Sequence, residues 1–386
     1  MRWLRRLGTL VAFVLVVGLV ASWDGLTGDT EDPVPTTTTA PPGRVASPVA
    51  GGAEDPRIAC ARALPPRQQF GQLLAVSVDG QAVDLEAPRI AELGVGTVLL
   101  QSLGGERPAA RIQALKDASV IPPLVAVDEE GGAVQDLRDV LGPLPSAARM
   151  AATTDPAGAH EQVLAHAQSM ATLGIDVVFA PVVDVLPTDG TDPLGDDRSF
   201  SSDPAVVTQY GQAYVEAFVE AGILPTLKHF PGHGAATGDS HDGVVTVPPL
   251  AQLRARDLIP YDSLLEEDVA VMVGHLVVPD VTIFGPSSLS RGIITDLLRT
   301  EYGFDGLIVT DSLSMGGVTG QGPPEAVAFA ALRAGADVAL FASLPDPGAV
   351  LSRLERGLAA GNLDADQIAI SVVRVLDVKG IDPCSL

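Results

Sequence analysis

The sequence predicts a single (β/α)8 barrel, and three observations support this fold class. Eight short apolar runs rich in β-branched residues recur along the chain, each bounded by Gly or Pro. Helix-like stretches lie between most of these runs, a pattern typical of a parallel sheet covered on both faces. No glycine-rich nucleotide loop follows the first run, which disfavours a doubly wound sheet as the main alternative. Eight strand–helix units fit a closed barrel.

The predicted strands lie at residues 73–78, 95–100, 123–128, 176–185, 223–230, 269–277, 306–312 and 336–343. A representative helix is predicted over 205–222, where one face carries Val206, Tyr210, Tyr214, Ala217 and Phe218.

Polar side chains stand at or just past the ends of several predicted strands. They are Asp128, Asp184, Lys228 with His229, His275 and Asp311. In a (β/α)8 barrel the carboxyl ends of the strands meet at one face, which is where catalytic groups lie. The pattern therefore predicts a reactive site at that face.

Two segments are predicted to precede the barrel domain, which we assign to residues 58–386. Residues 1–23 carry Arg2, Arg5 and Arg6 before an apolar run, the architecture of an export signal, either cleaved or retained as a membrane anchor through residues 7–23. Residues 24–57 are rich in Thr, Pro, Gly and Asp without apolar periodicity, which predicts a disordered linker. We therefore expect an extracytoplasmic protein, secreted or anchored at the cell envelope.

The formal net charge of −24 disfavours nucleic acid as a partner, because nucleic-acid binding needs basic patches. Cys60 and Cys384, the two cysteines of the chain, lie near the start and the end of the barrel domain. In an exported protein they are expected to form a disulfide, with two buried free thiols as the alternative. We also expect a monomer.

The segment 227–243, LKHFPGHGAATGDSHDG, concentrates three of the six histidines. His229 and His233 have the spacing of a helical metal pair, but Pro231 and Gly232 would break that helix, so we predict no metal or other cofactor. A Ser240-based hydrolase triad lacks the GxSxG turn. A polar glycine-rich turn and a proton-transfer loop remain as interpretations.

The proton-transfer interpretation rests on Asp239 and His241, which are two positions apart and share a side of an extended loop. A carboxylate bonded to an imidazole fixes its tautomer and favours its protonated form. Asp311, directly after a buried strand, is a candidate nucleophile, with an N-cap as the alternative. In a retaining glycosidase the nucleophile and the acid/base lie about 5–5.5 Å apart.

Taken together, KHFPGHGAATGDSH (228–241), VDEEGG (127–132), DDRSF (196–200), VGHLVVP (273–279) and TDSLSM (310–315) resemble family 3 glycoside hydrolases, in their single-domain β-N-acetylhexosaminidase branch. The resemblance covers roughly residues 60 to 386. It implies a barrel hydrolase that removes β-linked N-acetylglucosamine (GlcNAc) from cell-wall fragments such as muropeptides.

The resemblance also implies residue roles. Asp311 corresponds to the nucleophile, and His241 supported by Asp239 corresponds to the acid/base. The side chains that correspond to sugar-binding residues are Asp128, Arg198, Lys228 and His229. The chain departs from the family at Ala133 and Asp136, where the family has arginine, and Arg138 is a candidate substitute.

These features predict an exported retaining exo-β-N-acetylglucosaminidase. Two alternatives are open. A phosphorolytic enzyme would exploit an imidazole acid/base that does not repel phosphate. A cell-wall glycan-binding or regulatory protein without turnover is motivated by Ala133 and Asp136.

Overall fold

The computed structural model describes residues 55–283, 285–343 and 346–386, so the predicted signal or anchor and most of the predicted linker lie outside the described residues. Eight parallel strands form one sheet in which sequential strands are neighbours. They are β1 Leu74–Asp79, β2 Thr97–Gln101, β3 Leu124–Val127, β4 Val177–Val178, β5 Leu224–Phe230, β6 Ala270–Val273, β7 Ile308–Thr310 and β8 Ala339–Phe341.

The sheet closes on itself, which confirms the predicted (β/α)8 barrel. β8 pairs with β1 in parallel register, with Leu74 opposite Ala339. A parallel bridge joins Val309 of β7 to Val338, directly before β8. β3 and β6 are buried along their whole length, as expected for strands covered by helices outside and packed side chains inside.

Helices surround the barrel. They are α1 Pro56–Ala63, α2 Pro66–Gln72, α3 Val83–Leu93, α4 Pro108–Asp117, α5 Arg138–Leu141, α6 Ala147–Thr153, α7 Pro156–Leu173, α8 Pro204–Glu220, α9 Leu250–Ala255, α10 Ile259–Leu264, α11 Gly316–Thr319, α12 Pro324–Ala334, α13 Pro347–Ala359 and α14 Ala365–Val378, with a π-helix at Gly292–Glu301 and 3-10 turns at Ser287–Leu289 and Pro383–Ser385. Helix α1 thus takes in the last two residues of the predicted linker. Within the described residues, no helix is both long enough and apolar enough to span a bilayer.

Aspartate–proline pairs start several of these helices. Asp155, Asp203 and Asp346 each accept a hydrogen bond from a backbone N–H of the first turn, and a proline follows each of them. The carboxylate satisfies an otherwise unpaired donor and complements the positive end of the helix dipole. On α8 the core-facing side chains include Tyr210, Tyr214 and Phe218, as the periodicity predicts.

Two short two-stranded β-ladders lie at the carboxyl-terminal ends of the barrel strands. Glu129–Gly131 pairs with Val134–Gln135 in antiparallel fashion directly after β3. Val245–Thr246 pairs in parallel with Leu276–Val277, and so joins the loop after β5 to the loop after β6. These ladders hold the long loops that carry the predicted site.

The described part of the chain begins and ends at the same place. Cys60 of α1 and Cys384 form a disulfide, so the expected pairing is present. Arg57 adds ion pairs to Asp55 and to Asp377 of α14, at 2.7 and 2.6 Å. The bridge lies toward the amino-terminal ends of the strands, because Lys379 beside it contacts Gln72, which precedes β1.

Candidate active site

Asp311 lies one residue past the end of β7, at the face where the barrel strands end. Its side chain is largely buried, and one carboxylate oxygen accepts a hydrogen bond from the backbone N–H of Ser312 at 2.7 Å. The backbone N–H of Asp311 donates to Val273 in β6. The strand and its neighbour therefore fix this carboxylate at the barrel mouth.

The surroundings of Asp311 keep it ionised. Burial alone would raise the pKa of this carboxyl, but the charges on His275 and His229 and the Ser312 N–H outweigh burial and lower the pKa to about 2. His241 makes a smaller contribution in the same direction. A carboxylate that is ionised and short of solvent is suited to attack an electrophilic carbon.

Asp239 and His241 form a hydrogen-bonded pair in the loop after β5. His241 Nδ1 lies 2.7 Å from an oxygen of Asp239, and the His241 backbone N–H donates to the same oxygen at 2.9 Å. The His241 side chain is 54% exposed, so its ring is accessible to a ligand. Burial would raise the pKa of Asp239, but the hydrogen bonds from His241 outweigh burial and lower it, so Asp239 is ionised.

The loop that carries this pair contacts the segment behind Asp311. The backbone N–H of Gly316 donates to the His241 carbonyl at 3.2 Å, and that of Gly317 donates to the Ser240 carbonyl at 2.9 Å. The structure thus brings the loop and the nucleophile candidate to one side of the barrel mouth, although they are far apart in sequence.

Three of the predicted sugar-binding side chains converge with one residue that the sequence analysis did not name, Glu130. Lys228 Nζ lies 2.7 Å from Asp128 and 2.5 Å from Glu130. Arg198 makes a bidentate pair with Glu130, with both contacts at 2.8 Å. Burial would raise the pKa of Glu130, but Lys228 and Arg198 lower it to about 2. Asp128 is 31% exposed at its side chain and gives the cluster access to a ligand.

The fourth predicted binding residue, His229, is held by Asp184. Its Nδ1 lies 2.7 Å from an oxygen of Asp184, a fully buried carboxylate that also accepts from the backbone N–H of His233. Burial opposes ionisation of Asp184, but the charge of His229 keeps the Asp184 pKa lowered. Asp184 therefore orients the ring of His229 in β5 and holds the backbone of His233 at the start of the following loop.

His275 is buried between two polar groups. Nε2 lies 2.7 Å from the carbonyl oxygen of Ser312, so this nitrogen carries a proton, and Nδ1 lies 2.7 Å from the Ser288 hydroxyl oxygen. Burial lowers the pKa of His275. Its position at a strand end was a signal for the site, but its role in supporting the residue after Asp311 depends on tertiary contacts.

Ala133 and Asp136, the two departures from the pattern that the resemblance implies, lie in and directly after the short ladder that follows β3. Asp136 accepts hydrogen bonds from the backbone N–H groups of Asp128, at 2.8 Å, and Ser102, at 3.1 Å. Ala133 is exposed. Arg138 donates to the Gly132 carbonyl at 2.7 Å and to Gln135. Asp136 thus supports the backbone of a predicted sugar-binding residue.

Among residues 55–283, 285–343 and 346–386, no group of three His, Cys, Asp or Glu side chains is arranged to hold a metal ion. The carboxylates near the mouth instead pair with cationic side chains or with backbone N–H groups. The arrangement offers one ionised carboxylate, one carboxylate–imidazole pair and a polar cluster for a neutral polyol.

Residues 67–378 match the family described as glycosyl hydrolase family 3 N terminal domain. The chain belongs to glycoside hydrolase family 3. Among its family 3 relatives, a protein named beta-hexosaminidase LpqI from Mycobacterium tuberculosis is 43% identical over 331 residues, which cover 83% of this chain and 84% of the relative.

Solved structures of family 3 proteins are similar as well. The crystal structure of a family 3 glycosyl hydrolase from Mycobacterium smegmatis superposes with a TM-score of 0.77 at 41% identity, covering 82% of this chain and 98% of the other. A family 3 β-N-acetylglucosaminidase from Paenibacillus sp. superposes with a TM-score of 0.78 at 30% identity, covering 84% and 64%. The predicted family and enzyme class, a glycoside hydrolase, are confirmed.

Proposed function

We propose that this family 3 enzyme is an exported, retaining exo-β-N-acetylglucosaminidase that hydrolyses terminal β-linked GlcNAc from peptidoglycan fragments. The relatives named beta-hexosaminidase and β-N-acetylglucosaminidase support the sugar class. The observation that carries the proposal is the ionised Asp311 beside a loop that presents the Asp239–His241 pair.

In the first step, an oxygen of Asp311 attacks the anomeric carbon of the terminal sugar. The bond between this carbon and the leaving oxygen breaks, and protonated His241 gives its proton to that oxygen. The product is a glycosyl ester on Asp311. An imidazole suits the acid role here because, unlike a second carboxylate, it does not repel the nucleophile.

In the second step, neutral His241 takes a proton from water as the water oxygen attacks the anomeric carbon. The ester bond breaks, Asp311 leaves as a carboxylate, and the sugar is released. Two inversions at one carbon retain the configuration. Asp239 remains ionised throughout and stabilises the imidazolium form of His241.

The polar cluster would hold the terminal sugar. Lys228 and Arg198 are already paired with Glu130, so the cluster has little net charge to attract an ion. Asp128, the exposed member, accepts hydrogen bonds from hydroxyl groups, and Lys228 has a further N–H to donate. A neutral sugar with vicinal hydroxyls matches this set.

Export is the second part of the proposal. It is motivated by the basic and apolar residues at 1–23, and the disulfide between Cys60 and Cys384 supports it, because such bonds persist in oxidising compartments. Fractionation of cells that express the full chain tests this. Recovery in the cytosol with reduced cysteines would contradict it.

The nucleophile is tested with azide rescue. We expect Asp311→Ala to lower kcat on the 4-nitrophenyl β-glycoside of GlcNAc at least about 1000-fold. With a 2,4-dinitrophenyl leaving group, azide should fill the vacated space and yield the α-configured glycosyl azide. With His241→Ala, azide should attack the glycosyl-enzyme and yield the β-configured azide.

Asp296→Ala is the matched control, since Asp296 is an exposed carboxylate on the outer π-helix, and it should turn over like the wild type. Normal turnover by Asp311→Ala would exclude the mechanism. Product analysis in phosphate buffer tests phosphorolysis, because sugar phosphate would form in place of free sugar. A panel of GlcNAc, GalNAc, glucose and xylose glycosides tests the sugar preference.

A further inference from the structure

Ser240, between Asp239 and His241, is buried although both of its neighbours are partly or fully exposed. Its side chain is turned inward, and the residue is 2% exposed. Its hydroxyl lies 3.2 Å from Nε2 of His233, and its carbonyl accepts a hydrogen bond from the Gly317 N–H at 2.9 Å. One residue therefore joins this part of the loop to the start of the loop beside β5 and to the segment that follows Asp311.

His233 provides a rigid anchor on the β5 side. Its backbone N–H donates to buried Asp184 at 2.6 Å, and its ring packs edge-on against His229 with centroids 5.8 Å apart. Nδ1 of His233 is buried without a hydrogen-bond partner among the described atoms. The Ser240 hydroxyl is thus the polar side-chain contact that the structure gives this ring, and losing it would leave both nitrogens unpaired.

Gly316 and Gly317 provide the anchor on the β7 side. A Cβ atom on Gly316 would lie 2.7 Å from the His241 carbonyl oxygen, and one on Gly317 would lie 3.0 Å from the Ser240 carbonyl oxygen. Real Cβ atoms rarely come this close to backbone oxygens, so side chains at 316 and 317 would push the loop away. The absence of side chains there lets the loop seat against the segment that follows Asp311.

We propose that Ser240 is a positioning residue that holds the Asp239–His241 pair over the nucleophile, through His233 on one side and Gly317 on the other. The inference rests on the proposed function, since it assigns a purpose to a contact within the same mechanism. Ser240 does not touch the reacting atoms. It acts by restricting where the His241 ring can stand.

This role makes a distinctive prediction about leaving groups. Proton donation matters most when the leaving oxygen is basic and least when the leaving group is a stable anion. A loop that has lost its anchor delivers the proton poorly but leaves Asp311 and the sugar-binding cluster in place. The defect in glycosyl-enzyme formation should therefore grow as the leaving group becomes poorer.

The experiment measures kcat/KM of Ser240→Ala, which reports glycosyl-enzyme formation, on 2,4-dinitrophenyl, 4-nitrophenyl and phenyl β-glycosides of GlcNAc. We expect less than about a twofold loss of the rate of glycosyl-enzyme formation with the first and about a tenfold loss with the last. His241→Ala should show the same trend more steeply. His233→Asn, a second route to the same lost contact, should match Ser240→Ala.

Ser352→Ala is the matched control, because Ser352 donates to a carbonyl within α13 and should leave all three rates unchanged. A uniform loss across the three substrates in both Ser240→Ala and His233→Asn, with the trend intact in His241→Ala, would overturn the positioning role alone. Full activity of Asp311→Ala, or no trend in His241→Ala, would instead overturn the proposed mechanism. If Ser240→Ala does not fold, the His233→Asn series decides.

Discussion

At the scale of single residues, Asp136 shows how a carboxylate is accommodated at a position where the resemblance to family 3 implies arginine. Its two oxygens accept from the N–H groups of Asp128 and Ser102, which join the ends of β3 and β2. Burial and the nearby charge of Asp128 raise the pKa of Asp136 to about 7, although the two hydrogen bonds oppose the rise. Asp136 thus supports the backbone at the ends of β2 and β3, but its ionised form is poorly solvated there.

The raised pKa of Asp136 predicts a pH dependence of stability. In the folded chain Asp136 keeps its proton up to about pH 7, while in the unfolded chain it loses it near pH 4. Its contribution to stability is therefore complete below about pH 4 and is lost as the pH rises to 7. From pH 5 to pH 8, the free energy of unfolding of Asp136→Asn should rise by on the order of 1–2 kcal/mol relative to that of the wild type, after allowance for solvent screening.

Urea unfolding of both proteins at pH 5 and pH 8 measures this difference. The asparagine side chain of the variant has nearly the same size as aspartate and does not titrate, so the titrations of groups elsewhere cancel in the comparison. If the free energies of unfolding of the two proteins change by the same amount between pH 5 and pH 8, Asp136 is ionised in the folded chain at both pH values.

At the scale of elements, the cluster that links β3 and β5 determines how the mouth is held. Glu130, in the short ladder after β3, pairs with Lys228 of β5 and with Arg198 from the loop between β4 and α8. Two buried cations depend on this carboxylate. A buried pair that loses one member leaves an uncompensated charge, which is far more damaging than the loss of an exposed pair.

Glu130→Gln should therefore lower the free energy of unfolding by about 3 kcal/mol and raise KM for the glycoside. Glu301→Gln is the matched control, because Glu301 forms an exposed pair with Arg254 at 2.6 Å and should cost less than about 1 kcal/mol. Urea unfolding and steady-state kinetics measure both. Equal losses in the two variants would contradict a role for burial.

The helices and strands were largely predictable, because the spacing of apolar residues and the positions of Gly and Pro are local properties of the sequence. Each of the eight predicted runs overlaps a barrel strand, and the predicted helix 205–222 corresponds to α8 at Pro204–Glu220. The run 176–185 is the poorest match, since only Val177–Val178 is regular strand and Pro181 interrupts it. The run 269–277 divides at Gly274 into β6 and a separate ladder strand.

The site was predictable in part. Strand-end position placed Asp128, Lys228, His229 and Asp311 at one face, and the structure agrees. The partners were not predictable, because nothing local says that Glu130 rather than a neighbour would pair with Arg198, or that Ser240 would face His233. Those choices depend on how the loops cross above the barrel.

At the scale of the whole molecule, the disulfide between Cys60 and Cys384 spans 324 residues. Closing so long a loop removes much of the freedom of the unfolded chain, so Cys60→Ser with Cys384→Ser should lower the free energy of unfolding by about 2–5 kcal/mol. Catalytic constants at 25 °C should not change, because the bridge lies at the opposite end of the barrel from Asp311.

Urea unfolding with and without reductant measures the effect of the bridge. Reductant should destabilise the wild type toward the level of the double variant and leave the double variant unchanged. Equal stability of the wild type and the double variant without reductant would show that the bridge does not contribute.

The Cα atoms of Cys60 and Cys384 are 5.0 Å apart, and this has a practical consequence. A short peptide could join the two ends of the barrel covalently, and new ends could be opened at the exposed turn around Gly361 between α13 and α14. Such a circular permutant would keep every strand neighbour and the strand order β1 to β8, and it would move only α14 to the start of the chain. The turn around Gly361 would then offer new chain ends for immobilisation or fusion.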